Sequence, residues 1–353
     1  MSITDKILTL RGVWEKLKSD ERPLIIYGTG NGADMVMDIL DEQGIAVTAV
    51  CASDGFVRSR TFRGFKVQSI SEVEELYPDM TFCLCFASSI PEVMDRIVSL
   101  SCRHNLLVPV VPVFGKDIID REFLLENRDN IDKAYDLLYD DTSKLVFENV
   151  LTFEFTGELS YLLKAYSSRE EALRDILELT DKECYADLGA YRGDTLAELC
   201  NICGGFDTAY AFEPDKKTFA KLSENTKDMK NLTLYPYALW NSDTQLTFSG
   251  GGGRQSALCD SGYTVEAKAL DNILGDKKIT YIKADVEGAE KEALEGMSDI
   301  LKEQKPKLSV SAYHRSGDIF GLILQIHSIN SAYRFYLRQH PYIPAWDTDI
   351  YCI

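Results

Sequence analysis

The sequence predicts an α/β protein made of two doubly wound domains, an N-terminal Rossmann-like domain and a C-terminal seven-stranded domain, joined by a helical connector. Two stretches alternate strand and helix patterns, and each opens with a glycine turn between a strand and a helix. The stretch between them has helical spacing and no strand alternation. The predicted boundaries are 1–115 for the Rossmann-like domain, 116–181 for the connector and 182–353 for the C-terminal domain.

Length, net charge and cysteine spacing indicate the number of domains and exclude several classes of partner and ligand. A length of 353 residues suits two domains, and a net charge of −18 argues against a nucleic-acid partner, whose phosphates need Lys and Arg. The first residues lack the pattern of a signal peptide, and no apolar run is long enough to span a bilayer. Cys200 and Cys203 form the single CxxC pair, which we interpret as buried helix thiols. These observations predict a cytoplasmic protein without a metal site.

The N-terminal elements begin with residues 22–43, which read as strand, glycine turn and helix. A second strand follows at 45–53, and helix, strand and helix patterns continue to about residue 103. The turn carries Gly28-x-Gly30-x-x-Ala33, a variant of the dinucleotide fingerprint. This turn predicts a nucleotide site in the N-terminal domain at Gly28, Thr29, Gly30, Asn31 and Gly32, which would be additional to a ligand site in the C-terminal domain. The acid expected after the second strand is displaced to Asp54, which makes NAD a poor ligand.

The C-terminal domain has seven predicted strands. They are placed at 183–188, 208–213, 233–237, 279–284, 308–312, 333–338 and 347–352. The last two are close in sequence, and we expect an antiparallel arrangement there.

Three of these strands end on acids. Asp187 ends the first strand, Glu213 ends the second and lies 26 residues after Asp187, and Asp285 and Glu287 follow the fourth. The carboxyl ends of parallel strands share one sheet edge, where ligands of open α/β sheets bind. A pocket of carboxylates suits a ligand with cationic and hydroxyl groups, and S-adenosylmethionine (SAM) fits best.

Each part of SAM has a predicted partner. Gly189 and Gly193 allow close approach of the backbone, Asp187 accepts from the ammonium, and the helix N-terminus receives the carboxylate. Glu213 accepts from the ribose hydroxyls, although a helix-capping role is the alternative. The predicted SAM contacts are Asp187, Gly189, Ala190, Tyr191, Gly193, Asp194, Thr195, Glu213, Pro214, Tyr237, Ala238, Leu239 and Asp285.

The predicted catalytic residues are His314, Asp285 and Glu287. His314 directly follows the fifth strand, and imidazole has a suitable ordinary pKa for a general base. Asp285 is the alternative base. Glu287 and Glu290 also fit a simpler interpretation as acids in the first turn of a helix, and a lone histidine is often structural.

Six blocks in order resemble the FkbM family of methyltransferases: YADLGAYRGDT, AFEPD, ALDNIL, IKADVEGAE, SAYHRSGDI and the C-terminal stretch from 333. The resemblance covers about 183–353 and implies a class I methyltransferase fold, SAM as donor, and O-methylation of a sugar or polyketide hydroxyl. It implies SAM contacts at Asp187, Gly189, Gly193 and Glu213. The polar loop 249–258 suits an acceptor or lid role.

The N-terminal half resembles Rossmann-like domains of bacterial sugar-modifying enzymes, including the nucleotide-sugar-binding half of sugar acetyltransferases. The predicted acceptor is therefore a small molecule or glycan, such as a sugar or nucleotide sugar. Two other functions stay open at this point. One is an NAD-dependent oxidoreductase of nucleotide sugars that uses the Gly28 turn, and the other is a non-catalytic binding or scaffold protein.

Overall fold

A computed structural model describes residues 1–57, 61–248 and 263–353. The loop 249–258, predicted to serve as an acceptor site or lid, lies outside the described residues. The chain forms two compact units. Unit 1 comprises Met1–Tyr135, Lys144–Tyr166 and Gln339–Asp347, and unit 2 comprises Asp136–Ser143, Ser167–Arg338 and Thr348–Ile353. Residues of the predicted connector, 116–181, occur in both units.

The helices follow the predicted alternation with strands. They are α1 (Ile3–Leu8), α2 (Val13–Ser19), α3 (Asn31–Glu42), α4 (Ile70–Leu76), α5 (Pro91–Arg103), α6 (Arg121–Glu126), α7 (Arg128–Leu137), α8 (Asp141–Thr156), α9 (Leu159–Ala165), α10 (Arg169–Glu171), α11 (Asp194–Cys203), α12 (Lys216–Asn225), α13 (Leu270–Leu274), α14 (Glu290–Glu295), α15 (Ser298–Glu303) and α16 (Asp318–Ile329). A π-helical turn spans Ala172–Ile176.

Unit 1 contains a six-stranded sheet. Its strands are β1 (Leu24–Tyr27), β2 (Ala49–Ala52), β3 (Thr61–Phe62), β4 (Phe65–Ser69), β5 (Thr81–Leu84) and β6 (Asn105–Leu107), in the order β3-β4-β2-β1-β5-β6. All pairs except β3–β4 are parallel. The central strand β1 is buried along its whole length, as expected for a strand covered by helices on both faces.

Unit 2 contains the predicted seven-stranded sheet. Its strands are β7 (Cys184–Leu188), β8 (Thr208–Phe212), β9 (Leu232–Tyr235), β13 (Tyr281–Ala284), β14 (Lys307–Ser311), β15 (Phe335–Gln339) and β16 (Thr348–Cys352), in the order β15-β16-β14-β13-β7-β8-β9. β16 is antiparallel to β14, and Arg334 and Ile353 exchange backbone hydrogen bonds of 2.9 and 3.2 Å. This order confirms the predicted fold class.

A small sheet beside the seven-stranded one was not predicted. Its strands are β10 (Ala238–Leu239), β11 (Thr244–Phe248) and β12 (Tyr263–Lys268), in the order β10-β12-β11. The antiparallel β11–β12 pair presents many polar residues. The buried cluster of the small sheet consists of Ala238 in β10 with Val265 and Ala267 in β12, which is too small to give a strong sequence pattern.

The functional edge of unit 2 depends on a close backbone contact. Gly189, in the loop after β7, has φ +86°, and a Cβ on it would overlap the carbonyl oxygen of Asp285 in the loop after β13. The N–H of Asp285 donates to the carbonyl of Leu188 at 3.0 Å, which joins the same two strand ends. Glycine is therefore required at 189 both for its backbone conformation and for space.

Gly189→Ala and Gly204→Ala form a matched pair, because Gly204 has φ +85° but open space around its Cβ position. We expect Gly204→Ala to lower the free energy of unfolding by about 1 kcal/mol through left-handed strain alone. Gly189→Ala adds overpacking against backbone and should lower it by about 3 kcal/mol or more. Urea unfolding followed by circular dichroism measures both. Equal losses would contradict the close contact.

Candidate active site

The loop from β7 to α11 positions the first acid. Asp187 lies near the end of β7 and is fully buried. The hydroxyl of Thr195, in the first turn of α11, donates to its Oδ2, whereas its Oδ1 is enclosed without a hydrogen-bond partner among the described residues. Burial raises the pKa of Asp187, and nearby Lys283 and Thr195 offset part of that effect. Asp187 is thus a buried acid with one oxygen uncommitted.

Glu213 lies beside the same loop. It follows β8, whose Phe212 is the register partner of Leu188, and the carbonyl of Phe212 accepts from the N–H groups of Gly189 and Ala190 at 3.1 and 2.9 Å. The Glu213 carboxylate accepts from the N–H of Asp215 at 2.8 Å and from the N–H of Tyr191. Burial raises its pKa to about 7.

The structure therefore brings most of the predicted SAM contacts together at one strand edge. Tyr191 adopts φ +48°, a left-handed conformation that costs free energy in a non-glycine residue. Gly193 has φ +88° and precedes α11, whose first two residues are Asp194 and Thr195. Pro214 connects Glu213 to Asp215, and Asp215 caps α12 by accepting from the N–H of Thr218 at 2.8 Å.

Tyr237, Ala238 and Leu239, which are also predicted SAM contacts, follow β9, and the carbonyl of Tyr235 at the end of β9 accepts from the N–H of Glu213 at 3.1 Å. Ala238 and Leu239 form β10, are buried, and pair with β12 of the small sheet. The ring of Tyr237 stacks with that of Tyr235. The ammonium of Lys268 lies over the Tyr237 ring, 4.8 Å from the ring centroid. Tyr237 therefore remains the most accessible of these three predicted contacts to a planar ligand.

The loop after β13 carries the predicted catalytic acids. Asp285 and Glu287 are partly exposed, with 28% and 34% of their side chains accessible. Glu287 has φ +54°, so a second non-glycine residue at this edge is left-handed. The hydroxyl of Tyr313 donates to Asp285 Oδ1 at 3.4 Å. Burial raises the pKa of Glu287, and the neighbouring His314 partly opposes that shift.

His314 is buried among carboxylates. Its Nε2 lies 3.6 Å from Asp285 Oδ1 and 3.5 Å from Glu287 Oε2, and its Nδ1 lies 3.0 Å from Glu290 Oε1. Burial alone would lower the pKa of His314, but the three acids reverse this and raise it well above its ordinary value. The carboxylates around His314 thus favour its protonated form.

Lys283 is a buried basic residue beside these acids that was not predicted from the sequence. It lies within β13, is 5% exposed, and is the register partner of Asp187. Its Nζ lies 3.3 Å from Asp285 Oδ2. Burial alone would lower the pKa of Lys283, but Asp285 and Asp187 outweigh that and raise it. The available signal was a lysine inside an otherwise apolar strand pattern, YIKA.

The second glycine turn lies in unit 1. Gly28 has φ +131° and Gly30 caps α3, which contains Asn31 and Gly32 in its first turn, while Thr29 sits between the two glycines. A Cβ on Gly32 would approach the carbonyl of Cys85 to 2.9 Å, so α3 packs closely on the end of β5. The displaced acid Asp54 accepts from the hydroxyl and N–H of Ser71, at 2.5 and 3.3 Å, and is occupied by these bonds.

The raised pKa of Glu213 predicts a pH dependence of stability. A carboxyl whose folded pKa is about 7 stabilises the fold at acidic pH, and that contribution is lost as the pH rises through about 7. Glu213→Gln removes this titration. The difference in free energy of unfolding, variant minus wild type, should therefore increase by about 2–3 kcal/mol when the pH is raised from about 5 to about 8.5. Denaturant titrations at both pH values measure it, and a difference independent of pH would contradict the burial of Glu213.

Residues 187–344 match the model of the methyltransferase FkbM domain. The chain is also 28% identical over 119 residues to the hexuronic acid methyltransferase AglP of Haloferax volcanii, an alignment that covers 31% of this chain and 49% of the relative. The chain thus spans about half of the length of this curated relative.

A crystal structure of methyltransferase FkbM from Methylobacillus flagellatus KT is similar to the whole chain. It has a TM-score of 0.72 at 22% identity and covers 100% of this chain and 94% of its own. This likeness shows a shared fold. No helix within residues 1–57, 61–248 and 263–353 is long and apolar enough to span a membrane. Residues 187–344 are therefore similar in sequence to the methyltransferase FkbM domain, and the chain shares the fold of the Methylobacillus flagellatus KT protein.

Proposed function

We propose that residues 182–353 form a SAM-dependent O-methyltransferase that acts on a hydroxyl of a sugar, glycan or nucleotide sugar. The observation that carries the proposal is the pair of buried carboxylates, Asp187 and Glu213, at the ends of adjacent parallel strands around a glycine loop. The stretch that contains them matches a methyltransferase family model.

The residues present fit SAM. When bound, SAM supplies a methyl group on a sulfonium, which passes to an oxygen nucleophile and leaves S-adenosylhomocysteine. Asp187 retains an uncommitted oxygen, Oδ1, and its complete burial favours contact with the SAM ammonium through an ordered water. The glycines at 189 and 193 keep the loop free of side chains, and the N-terminus of α11 suits the carboxylate.

Glu213 is the proposed ribose contact. Its carboxylate is held beside the glycine loop by the N–H groups of Asp215 and Tyr191. Two ribose hydroxyls donating to this carboxylate would favour its ionised form, each contributing roughly 1.5–3 kcal/mol. Tyr237 is the proposed neighbour of the adenine, because it is the aromatic residue among the three predicted SAM contacts that follow β9, Tyr237, Ala238 and Leu239.

The acceptor hydroxyl must lose its proton as the methyl group arrives, and the proton passes to a carboxylate at this edge. Asp285 and Glu287 are the partly exposed candidates, whereas His314 is 1% exposed and lies between them. We therefore assign the proton acceptor to these carboxylates and treat His314 as the residue that positions them. The acceptor oxygen gains the methyl group, and the carboxylate gains the proton.

A carbohydrate acceptor is supported by the relative named as a hexuronic acid methyltransferase. An NAD-dependent oxidoreductase is less well supported, because the acid that would bind the ribose of NAD in unit 1, Asp54, is engaged by Ser71. The Gly28 turn stays a predicted nucleotide site.

The test is transfer of a labelled methyl group from SAM to a panel of sugars, uronic acids and nucleotide sugars. We expect wild-type turnover on at least one carbohydrate, and a loss of about 100-fold or more in kcat for the double variant Asp285→Asn, Glu287→Gln, which removes both proposed proton acceptors. SAM binding, measured by calorimetry on the same preparations, should persist, which separates a loss of methyl transfer from a loss of cofactor. Turnover that survives the double substitution while SAM binds normally would refute these catalytic roles.

A further inference from the structure

Three side chains from separate elements converge beside the proposed acceptor site. Asp285 follows β13, Glu290 begins α14, and His314 follows β14. Each offers one ligand atom, and these three atoms lie within 4.8 Å of one another. Ligands that share one ion at about 2.1 Å lie no more than about 4.2 Å apart, so a small contraction would bring all three onto one ion.

Glu290 provides an independent indication of a missing cation. It is 1% exposed, and its Oε1 accepts from the N–H groups of Val286 and Gly288 at 2.9 and 3.4 Å and faces His314 Nδ1. Its Oε2 is enclosed and has no hydrogen-bond partner among the described residues. A buried carboxylate oxygen without a donor is unfavourable, and a cation is the partner that would satisfy it.

The excess of acidic groups around His314 also favours a bound cation. Asp285, Glu287 and Glu290 surround one imidazole, and Asp318, which is also buried, acts electrostatically on Glu290 and His314. Among the described residues, the ion pairs of the first three acids involve Lys283 and His314. Carboxyl groups thus outnumber the basic groups paired with them, and buried charges require compensation.

We propose that Asp285, Glu290 and His314 bind a divalent transition-metal ion. A mixed set of carboxylate oxygens and an imidazole nitrogen suits Zn²⁺ or Mn²⁺, whereas Mg²⁺ and Ca²⁺ prefer oxygen ligands throughout. Asp285 is partly exposed, so the ion would be accessible from the acceptor side.

The role of the ion rests on the proposed function. A bound cation would polarise the acceptor hydroxyl and lower its pKa. Glu287 lies outside the three-residue set and is the more exposed of the two acids, so it would then receive the hydroxyl proton. The sugar oxygen keeps the electron pair of its broken O–H bond and uses it to bind the methyl group.

The test is Mn²⁺ binding to the full chain after treatment with EDTA, followed by electron paramagnetic resonance of the free ion. We expect one saturable Mn²⁺ site per chain in wild type, and at least tenfold weaker affinity in Glu290→Gln. Glu295→Gln is the matched control, because it removes the same charge from an exposed position of the same helix, α14. It should bind Mn²⁺ as wild type does, and Zn²⁺ should displace Mn²⁺.

The proposal is overturned if wild type shows no saturable site, or if Glu290→Gln and Glu295→Gln bind equally. If circular dichroism shows that Glu290→Gln does not fold, Asp285→Asn takes its place, with the same expected loss. Binding requires neither SAM nor turnover. A failed methyl-transfer assay with intact Mn²⁺ binding would therefore count against the proposed function alone.

Discussion

The contact between the loop after β7 and the loop after β13 is the constraint on which the site depends. Gly189 lies against the carbonyl of Asp285, and the backbone of Asp285 is hydrogen-bonded to Leu188. This contact holds the acids proposed to bind SAM and the acids proposed to face the acceptor at one edge of one sheet. Tyr191 and Glu287 both adopt left-handed conformations, so each of the two loops at which the chemistry is proposed contains a strained residue.

Buried charge is the second feature that unites the site. Asp187, Lys283 and Asp285 alternate in sign across β7 and the end of β13, and each offsets part of the desolvation cost of its neighbour. Glu213 has no such cationic partner among its main influences, and burial raises its pKa accordingly. A ligand that brings positive charge and hydroxyl donors to this edge would relieve an unfavourable arrangement already present in the folded chain.

The sequence predicted the fold to a large extent, because the strands of both main sheets are short, apolar runs bounded by turns. The seven strands of unit 2 lie within about two residues of their predicted positions. The small sheet containing β10 escaped prediction because its two-residue strand and half-exposed partners carry little periodic signal.

The site was predictable only in part. Acids at strand ends are visible in sequence, and the structure places Asp187, Glu213 and Asp285 at the ends of neighbouring parallel strands, as predicted. The partnership of Glu290 with His314 joins residues 24 positions apart and depends on tertiary packing. Glu290 was interpreted as an acid in the first turn of a helix, and it does accept backbone N–H groups there, but it also faces the imidazole. For the same reason the sequence suggested no metal site.

The most direct test of the central claim is calorimetric titration of the full chain with SAM. We expect saturable SAM binding that is weakened about 10- to 100-fold by Glu213→Ala and unchanged by Glu224→Ala, a substitution of the same kind at an exposed acid of α12. Absence of SAM binding by the folded wild-type chain, or equal affinity in the two variants, would contradict it.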